Sequence, residues 1–267
     1  MRSTSAVEAS ELDPSGNPLD RRRIHELHER VAAGIPKAEQ QFGVAGRRTH
    51  SIWSVRMVMN SVESAAGVLA TAAIAAESRR SIRRYSTAPI PPDALRELLR
   101  LAGRAPSAYN VQPWRFVVVE GETLKAQLSA AAYGQQQIVH APATIVMYSD
   151  MESALDRMPQ SMHPDMPQDK RDAGVASFRA SFDGKSVEER EAWGNAQSNI
   201  ALGYLLLLGE AFGYGTSPML GFDPEKVKTL LHLPAHARVT ALIAIGYPAE
   251  EGFRPHRLPV ETLVEFR

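Results

Sequence analysis

Four arginines fall within the six residues from Arg79 to Arg84, with Ser81 between the pairs and Tyr85 directly after (RRSIRRY). Guanidinium groups offer paired donors to phosphate oxygens and a serine hydroxyl adds a further hydrogen bond, so the chemistry suggested is the grip of a phosphorylated ligand. The same residues follow a helical pattern, where basic side chains also complement the macrodipole, and the segment alone leaves both readings open. A second segment, Ala105 to Phe116 (APSAYNVQPWRF), sets Pro106, Ser107, Asn110, Gln112 and Pro113 in a rigid polar turn ahead of an apolar run. Asn and Gln amides both donate and accept, which matches the alternating edge of a ring such as the pyrimidine part of an isoalloxazine. They equally suit a loop that satisfies its own backbone. Trp114 reads as core packing.

Other chemistries are removed by composition. The 267 residues include no cysteine, so disulfides, iron–sulfur clusters, thiolate zinc sites and a catalytic thiol are excluded. His163 with Asp165 and Asp169, and His232 with His236, each lack a third ligand at a compact spacing, and no metal site is expected. Thirty Lys and Arg balance thirty Asp and Glu. A chain without net charge has no overall field to draw it to nucleic acid or an anionic membrane, so small neutral or aromatic partners fit better. The apolar stretch from Val62 to Ala76 carries Glu63 and falls short of the ~20 residues that span a bilayer, which makes a cytoplasmic protein the expectation.

The elements that must position these residues begin after an extension. Residues 1–55 scatter Ser, Gly, Pro and charge, with acidic residues interspersed among Arg21, Arg22, Arg23, Arg47 and Arg48, and read as a solvated or loosely docked tail. From Asn60, Val62, Ala65, Ala66, Leu69, Ala73 and Ala76 recur at helical spacing. Pro91 and Pro92 introduce a second helix with Leu95, Leu98, Leu99 and Ala102 as its stripe and Gly103 at its end. Three short β-branched runs, Arg115 to Glu120, Ala143 to Tyr148 and Val239 to Ile245, read as core strands of one sheet. Between the last two lies a polar stretch, Asp150 to Lys185, in which Phe178, Phe182 and Met158, Met162 and Met166 read as loosely packed surface. Ser186 and Glu189 then form a capping box for a helix to about Phe212. Its Ile200 to Leu208 part is apolar nearly all round and needs cover from the sheet and from a further surface, for which a second subunit is a candidate. Helices and strands mix without strict βαβ alternation, so an α+β layer fold is expected.

The order and spacing of RRSIRRY, the proline-led helix, APSAYNVQPWRF, GYGTSPMLGFD, IGYP and finally Arg257 within PHRLPV closely resemble the FMN-dependent nitroreductase family over residues 60–267, in its bacterial branch of nitroaromatic and quinone reductases. The resemblance implies a central, mostly antiparallel sheet flanked by helices, an intertwined homodimer, and an FMN-binding domain over 56–267. It places Arg79, Arg80, Ser81 and Arg83 in the first FMN segment, with Arg79 on the phosphate and Arg83 near flavin N1 and O2. It makes Arg257 a second phosphate ligand, and Pro106, Ser107 and Asn110 the loop lent by the opposite subunit. Pro218, Met219, Leu220 and Gly221 match the segment beside the ring, and Gln135 and Gln137 fall near its pyrimidine edge. Leu220 stands where some relatives carry glutamate or glycine, and the long extension is a departure. The implied activity is NAD(P)H oxidation with reduction of nitroaromatics, quinones or similar small acceptors by a ping-pong mechanism. The alternatives are a dehalogenase, an enone reductase, a flavin-destroying enzyme or a flavin-binding protein without turnover. No nucleophile or general base is called for, because the cofactor carries the chemistry and the protein positions it.

Overall fold

The computed structural model describes residues 72–267. The expected extension 1–55 and the start of the first helix at Asn60 lie outside those residues, while 72–78 are helical. Arg79–Arg267 forms one compact unit.

Its centre is a four-stranded sheet of β1 (Trp114–Val119), β2 (Ala143–Ser149), β3 (Gly215–Met219) and β4 (Arg238–Gly246) in the order β1-β2-β4-β3. Every neighbouring pair is antiparallel. The three β-branched runs are strands as expected, and β3 is the addition. Its sequence GTSPM carries small residues and a proline, which a strand tolerates at a sheet edge, where one side needs no ladder partner. The central pair β2 and β4 is buried nearly throughout and so reads as continuous apolar sequence without alternation.

Helices cover both faces. On one, α1 (Pro92–Ala102) and the long α7 (Val187–Ala211) pack Leu95, Leu98, Ala102, Ala201 and Leu205 against Ile145, Met147, Ile243 and Ile245. Trp114 joins this core at 6% exposure, as anticipated. On the other, α2 (Glu122–Ala131), α3 (Gln136–His140) and α8 (Pro224–Leu230) bring Leu128, Ile138 and Val227 onto Val146, Leu242 and Ala244. Pro92 sits at the start of α1, and Gly103 closes it in a right-handed conformation whose N–H reaches Leu99 O at 2.9 Å.

The stretch from Asp150 to Lys185 departs from expectation. It folds into α4 (Met151–Asp156), α5 (Met158–Ser161) and α6 (Gln168–Ala180), and Met158, Phe178 and Phe182 are buried with Val111 and Met151 in a third core cluster. Phe182 and Trp193 meet edge to face at 5.2 Å. Short polar helices show no periodicity over a long window, so their common apolar interior exists only once they stack. Met162 is partly buried and Met166 stays exposed.

The capping box of α7 forms as expected, with Ser186 Oγ accepting from Glu189 N and the Glu189 carboxylate from Ser186 N. Glu191, Gly194, Ser198, Ala201 and Leu205 line its buried side, while Ile200 and Tyr204 are about 40% exposed on another. Glu191 is an unusual core residue. Its carboxylate accepts from Ser149 Oγ at 2.5 Å and from Met151 N at 2.6 Å, while burial holds the group above the usual carboxylate range.

Candidate functional site

The arginine segment lies outside any helix among the described residues: it runs alongside β3 as an extra extended chain. Ile82 N donates to Thr216 O at 3.0 Å beside a parallel bridge between Ser81 and Thr216. Two further contacts hold it to the chain leaving β4, Ser86 N to Tyr247 O at 2.9 Å and Ala249 N to Arg84 O at 3.0 Å. The approach to β3 is close because residue 215 is glycine: a Cβ there would lie 2.8 Å from Ile82 Cβ. Ile82 and Tyr85 are the inward residues. The Tyr85 hydroxyl donates to Ile82 O and approaches Ala244 O, and burial, with the nearby Glu250 charge, pushes its ionisation far above the ordinary tyrosine value. Ser81 is half-buried beside them, and Arg83 and Arg84 are exposed.

Arg83 and Arg84 line a cleft of about 600 Å³ with Gln136, Gln137, His140, Glu250, Gly252 and Phe253. Glu250 organises one wall, its Oε1 accepting from Arg83 N at 2.7 Å and Arg84 N at 3.2 Å. Arg80 Nη1 reaches Glu251 O at 3.0 Å. Arg79 is half-buried, and its Nη1 is shut away from solvent without a hydrogen-bond partner among the described residues.

Gln137 Nε2 donates to Gln135 Oε1 at 2.9 Å, and Gln135 Nε2 to Gly221 O at 2.7 Å, so these amides connect the cleft wall to the chain leaving β3. Within that chain Pro218 is half-buried, Met219 is buried, and Leu220 and Gly221 are exposed. Arg79 to Arg83, the two glutamines and Pro218 to Gly221 are thus gathered at the β3 side of the sheet.

Two predicted contributions are not gathered there. Arg257 is exposed near the C-terminus, and its Nη1 donates to the neighbouring His256 O at 2.7 Å. The 106–110 loop enters β1, the opposite edge strand. Pro106 and Asn110 are exposed and Ser107 half-buried. Ala108 N donates to Gln197 Oε1 at 3.0 Å, Asn110 Nδ2 to Ser161 O at 2.8 Å, and Gln112 N to Ser107 Oγ at 3.1 Å. Tyr109, Asn110 and Gln112 all take positive φ (52°, 56° and 46°), a strained run of the kind that persists where side-chain placement matters. The Tyr109 ring packs on Phe178 at 4.8 Å, which ties the loop to α6.

Glu250, His140 and Phe253 escaped the reading of the sequence. Glu250 stands 167 positions from Arg83, and a lone glutamate after a strand carries no mark of such a partner.

The model of the nitroreductase family matches residues 76–247, which contain the arginine segment, the strained loop and all four strands. The chain belongs to the nitroreductase family. It is 50% identical over 193 residues to a Thermus thermophilus protein named NADH dehydrogenase, covering 72% of this chain and 94% of that one. It is 26% identical over 174 residues to the iodotyrosine deiodinase of Thermotoga neapolitana, covering 65% and 86%. Among solved structures it resembles a nitroreductase from Exiguobacterium sibiricum in complex with FMN, at 27% identity and a TM-score of 0.66 over 73% of this chain and 96% of that one. Among the described residues no helix is long and apolar enough to cross a membrane.

Proposed function

We propose that this protein is an FMN-dependent NAD(P)H oxidoreductase that reduces nitroaromatics, quinones or similar small acceptors in a ping-pong cycle, working as a homodimer. The observation that carries the reading is Arg79. A buried guanidinium N–H without a partner is costly, and a phosphate oxygen offers the charge-assisted bond that relieves it. A cleft lined by Arg83 and Gln137 has the size of a small-molecule site and presents a cation at Arg83 and an amide at Gln137. Those groups fit FMN, with which the similar Exiguobacterium protein is in complex.

In this reading bound FMN supplies the two-electron chemistry, accepting hydride from NADH or NADPH and passing electrons to the acceptor. Arg79 and Ser81 hold its phosphate, with Arg80 fixing the segment through Glu251 O, and the exposed Arg257, bonded in the protein alone to His256 O, joins them when the cofactor binds. Arg83 places a fixed positive charge where reduction leaves negative charge on the ring, and partial desolvation strengthens that attraction. Gln137 and Gln135 address the pyrimidine edge, and Pro218, Met219, Leu220 and Gly221 flank the ring. Pro106, Ser107 and Asn110 reach a partner's flavin. The positions of β1 and β3 at opposite sheet edges support that last assignment, since one chain offers its two halves of the site at separate edges. The half-exposed Ile200 and Tyr204 on α7 offer apolar surface for a second copy.

Reductive dehalogenation is the second reading, supported by the similarity to a deiodinase. In either case the 1–55 extension is dispensable for flavin binding.

Reconstitution with FMN followed by stopped-flow mixing is the direct experiment. Flavin absorbance should bleach on adding NADH or NADPH and return with menadione, whereas a protein that stays colourless after reconstitution overturns the proposal. Faster reoxidation by a halophenol with halide release than by any quinone or nitroarene selects the second reading.

A further inference from the structure

On the same compact unit, a second cleft of about 690 Å³ is lined by Leu220, Phe222, Lys228, Arg238, Glu191 and His236, among others. At its inner side three side chains from distant parts of the chain converge. Asp150 follows β2, Glu191 lies in the first turns of α7, and His236 precedes β4, and one ligand atom from each lies within 4.8 Å of the others. His236 Nε2 is 3.1 Å from Asp150 Oδ1 and 4.0 Å from Glu191 Oε1.

We infer that Asp150, Glu191 and His236 form a site for a divalent transition-metal ion of the Zn²⁺ or Mn²⁺ class. Three arguments carry it. The spacing suits a shared centre: ligands about 2.0–2.1 Å from a tetrahedral metal stand about 3.3–3.4 Å apart, and the two separations from His236, 3.1 and 4.0 Å, need to change by less than an ångström. The charge is unbalanced in the direction a cation corrects. Asp150 is 8% and Glu191 2% exposed, and among the described residues the basic group within 4.0 Å of both carboxylates is the His236 imidazole. Finally, the carboxylates are already oriented by other bonds. Ser149 Oγ and Met151 N hold Glu191, and Ser153 N holds Asp150, which is the outer support that metal ligands commonly have. Glu191 and His236 face the cleft, which leaves an entry path and room for water at the remaining coordination positions.

Such an ion would staple the end of β2, the start of α7 and the approach to β4. It would also stiffen the strained loop, because Asp150 N donates to Pro113 O at 3.0 Å. An imidazole in the set favours transition metals over Mg²⁺ and Ca²⁺, which prefer oxygen ligands throughout.

The test is isothermal titration of EDTA-treated, FMN-loaded protein with ZnCl₂ and MnCl₂, alongside thermal melts. The expected result is one saturable equivalent per chain and a melting temperature raised by roughly 5–10 °C at a hundredfold excess over Kd. His236→Gln, a partly exposed position that should not disturb folding, and Asp150→Asn, which can still cap α4, should each weaken that equivalent by about tenfold or more. Three outcomes overturn the inference: no saturable equivalent, an equivalent that survives both substitutions, or equal binding of MgCl₂. Failure here leaves the flavin reading untouched, because bleaching by NAD(P)H is measured independently.

Discussion

The Arg79 Nη1 group is sealed from water with no partner among the described residues, so Arg79 should contribute strongly to binding an anion. Arg79→Gln is expected to weaken FMN binding by roughly ten- to a hundredfold, the worth of one or two hydrogen bonds to a charged group, as read by quenching of flavin fluorescence. Unchanged affinity would remove the phosphate role. Arg83 contributes differently. Arg83→Gln should lower the midpoint potential of bound FMN by roughly 30–60 mV, since about 1.4 kcal/mol corresponds to 30 mV for a two-electron couple. Spectroelectrochemistry reads this shift separately from affinity. Tyr214, 5% exposed, has its ionisation pushed up to about 12 by burial and then by its hydrogen bond and proximity to Tyr247. A group whose folded value is raised stabilises fully below its unfolded value of 10 and loses that contribution as pH climbs through the folded one. Stability should therefore fall between pH 10 and 12, and Tyr214→Phe should fall less steeply in urea titrations across that window. Equal slopes would show that this tyrosine is not the group responsible.

The elements depend on a few local signals. α7 spans both the buried Glu191 and the exposed Tyr204, so its start matters to everything packed along it. Ser186→Ala removes the side chain that accepts from Glu189 N and should cost about 1 kcal/mol, or a melting point lower by roughly 2–4 °C. Flavin content per folded chain should not change, because none of the residues assigned to the cofactor lies in that turn. A drop in flavin content without a drop in melting temperature would contradict the assignment. The arginine segment depends instead on β3, through Ser81, Ile82 and Thr216, with Gly215 setting the distance of approach. Here an element with weak strand propensity places the residues proposed to hold the cofactor.

At the scale of the molecule, the sheet separates the two parts of the proposed site. The loop bearing Ser107 and Asn110 leads into β1, the segment Pro218 to Gly221 leaves β3, and these are opposite edges. Phe253, Leu258, Val260, Leu263 and Phe266 are exposed toward the C-terminus, as are Ile200 and Tyr204 on α7. The proposed dimer would cover part of this apolar surface. Tyr204→Glu is expected to give monomers in light scattering and to strip FMN at the same time, because a site shared between subunits fails with the interface. A variant that stays dimeric and yellow would refute that placement of the interface, and a flavin-bound monomer would refute the shared site.

The sequence determined the elements whose causes are local. Pro92 and Gly103 bounded α1, Ser186 and Glu189 opened α7, and the β-branched runs at β1, β2 and β4 could be read directly, because caps, prolines and apolar runs act within a few residues. It likewise marked RRSIRRY and APSAYNVQPWRF as polar segments suited to a phosphate and a ring. Only the tertiary structure decided what those segments meet. Thr216 beside Ser81, Glu250 beneath Arg83, and His236 against Asp150 at a separation of 86 positions are products of chain reversal across the sheet, which leaves no periodic trace. The same holds for the buried Phe178 and Phe182: short polar helices gain an apolar interior by stacking on one another, and that energy belongs to the assembled packing rather than to any one stretch of sequence.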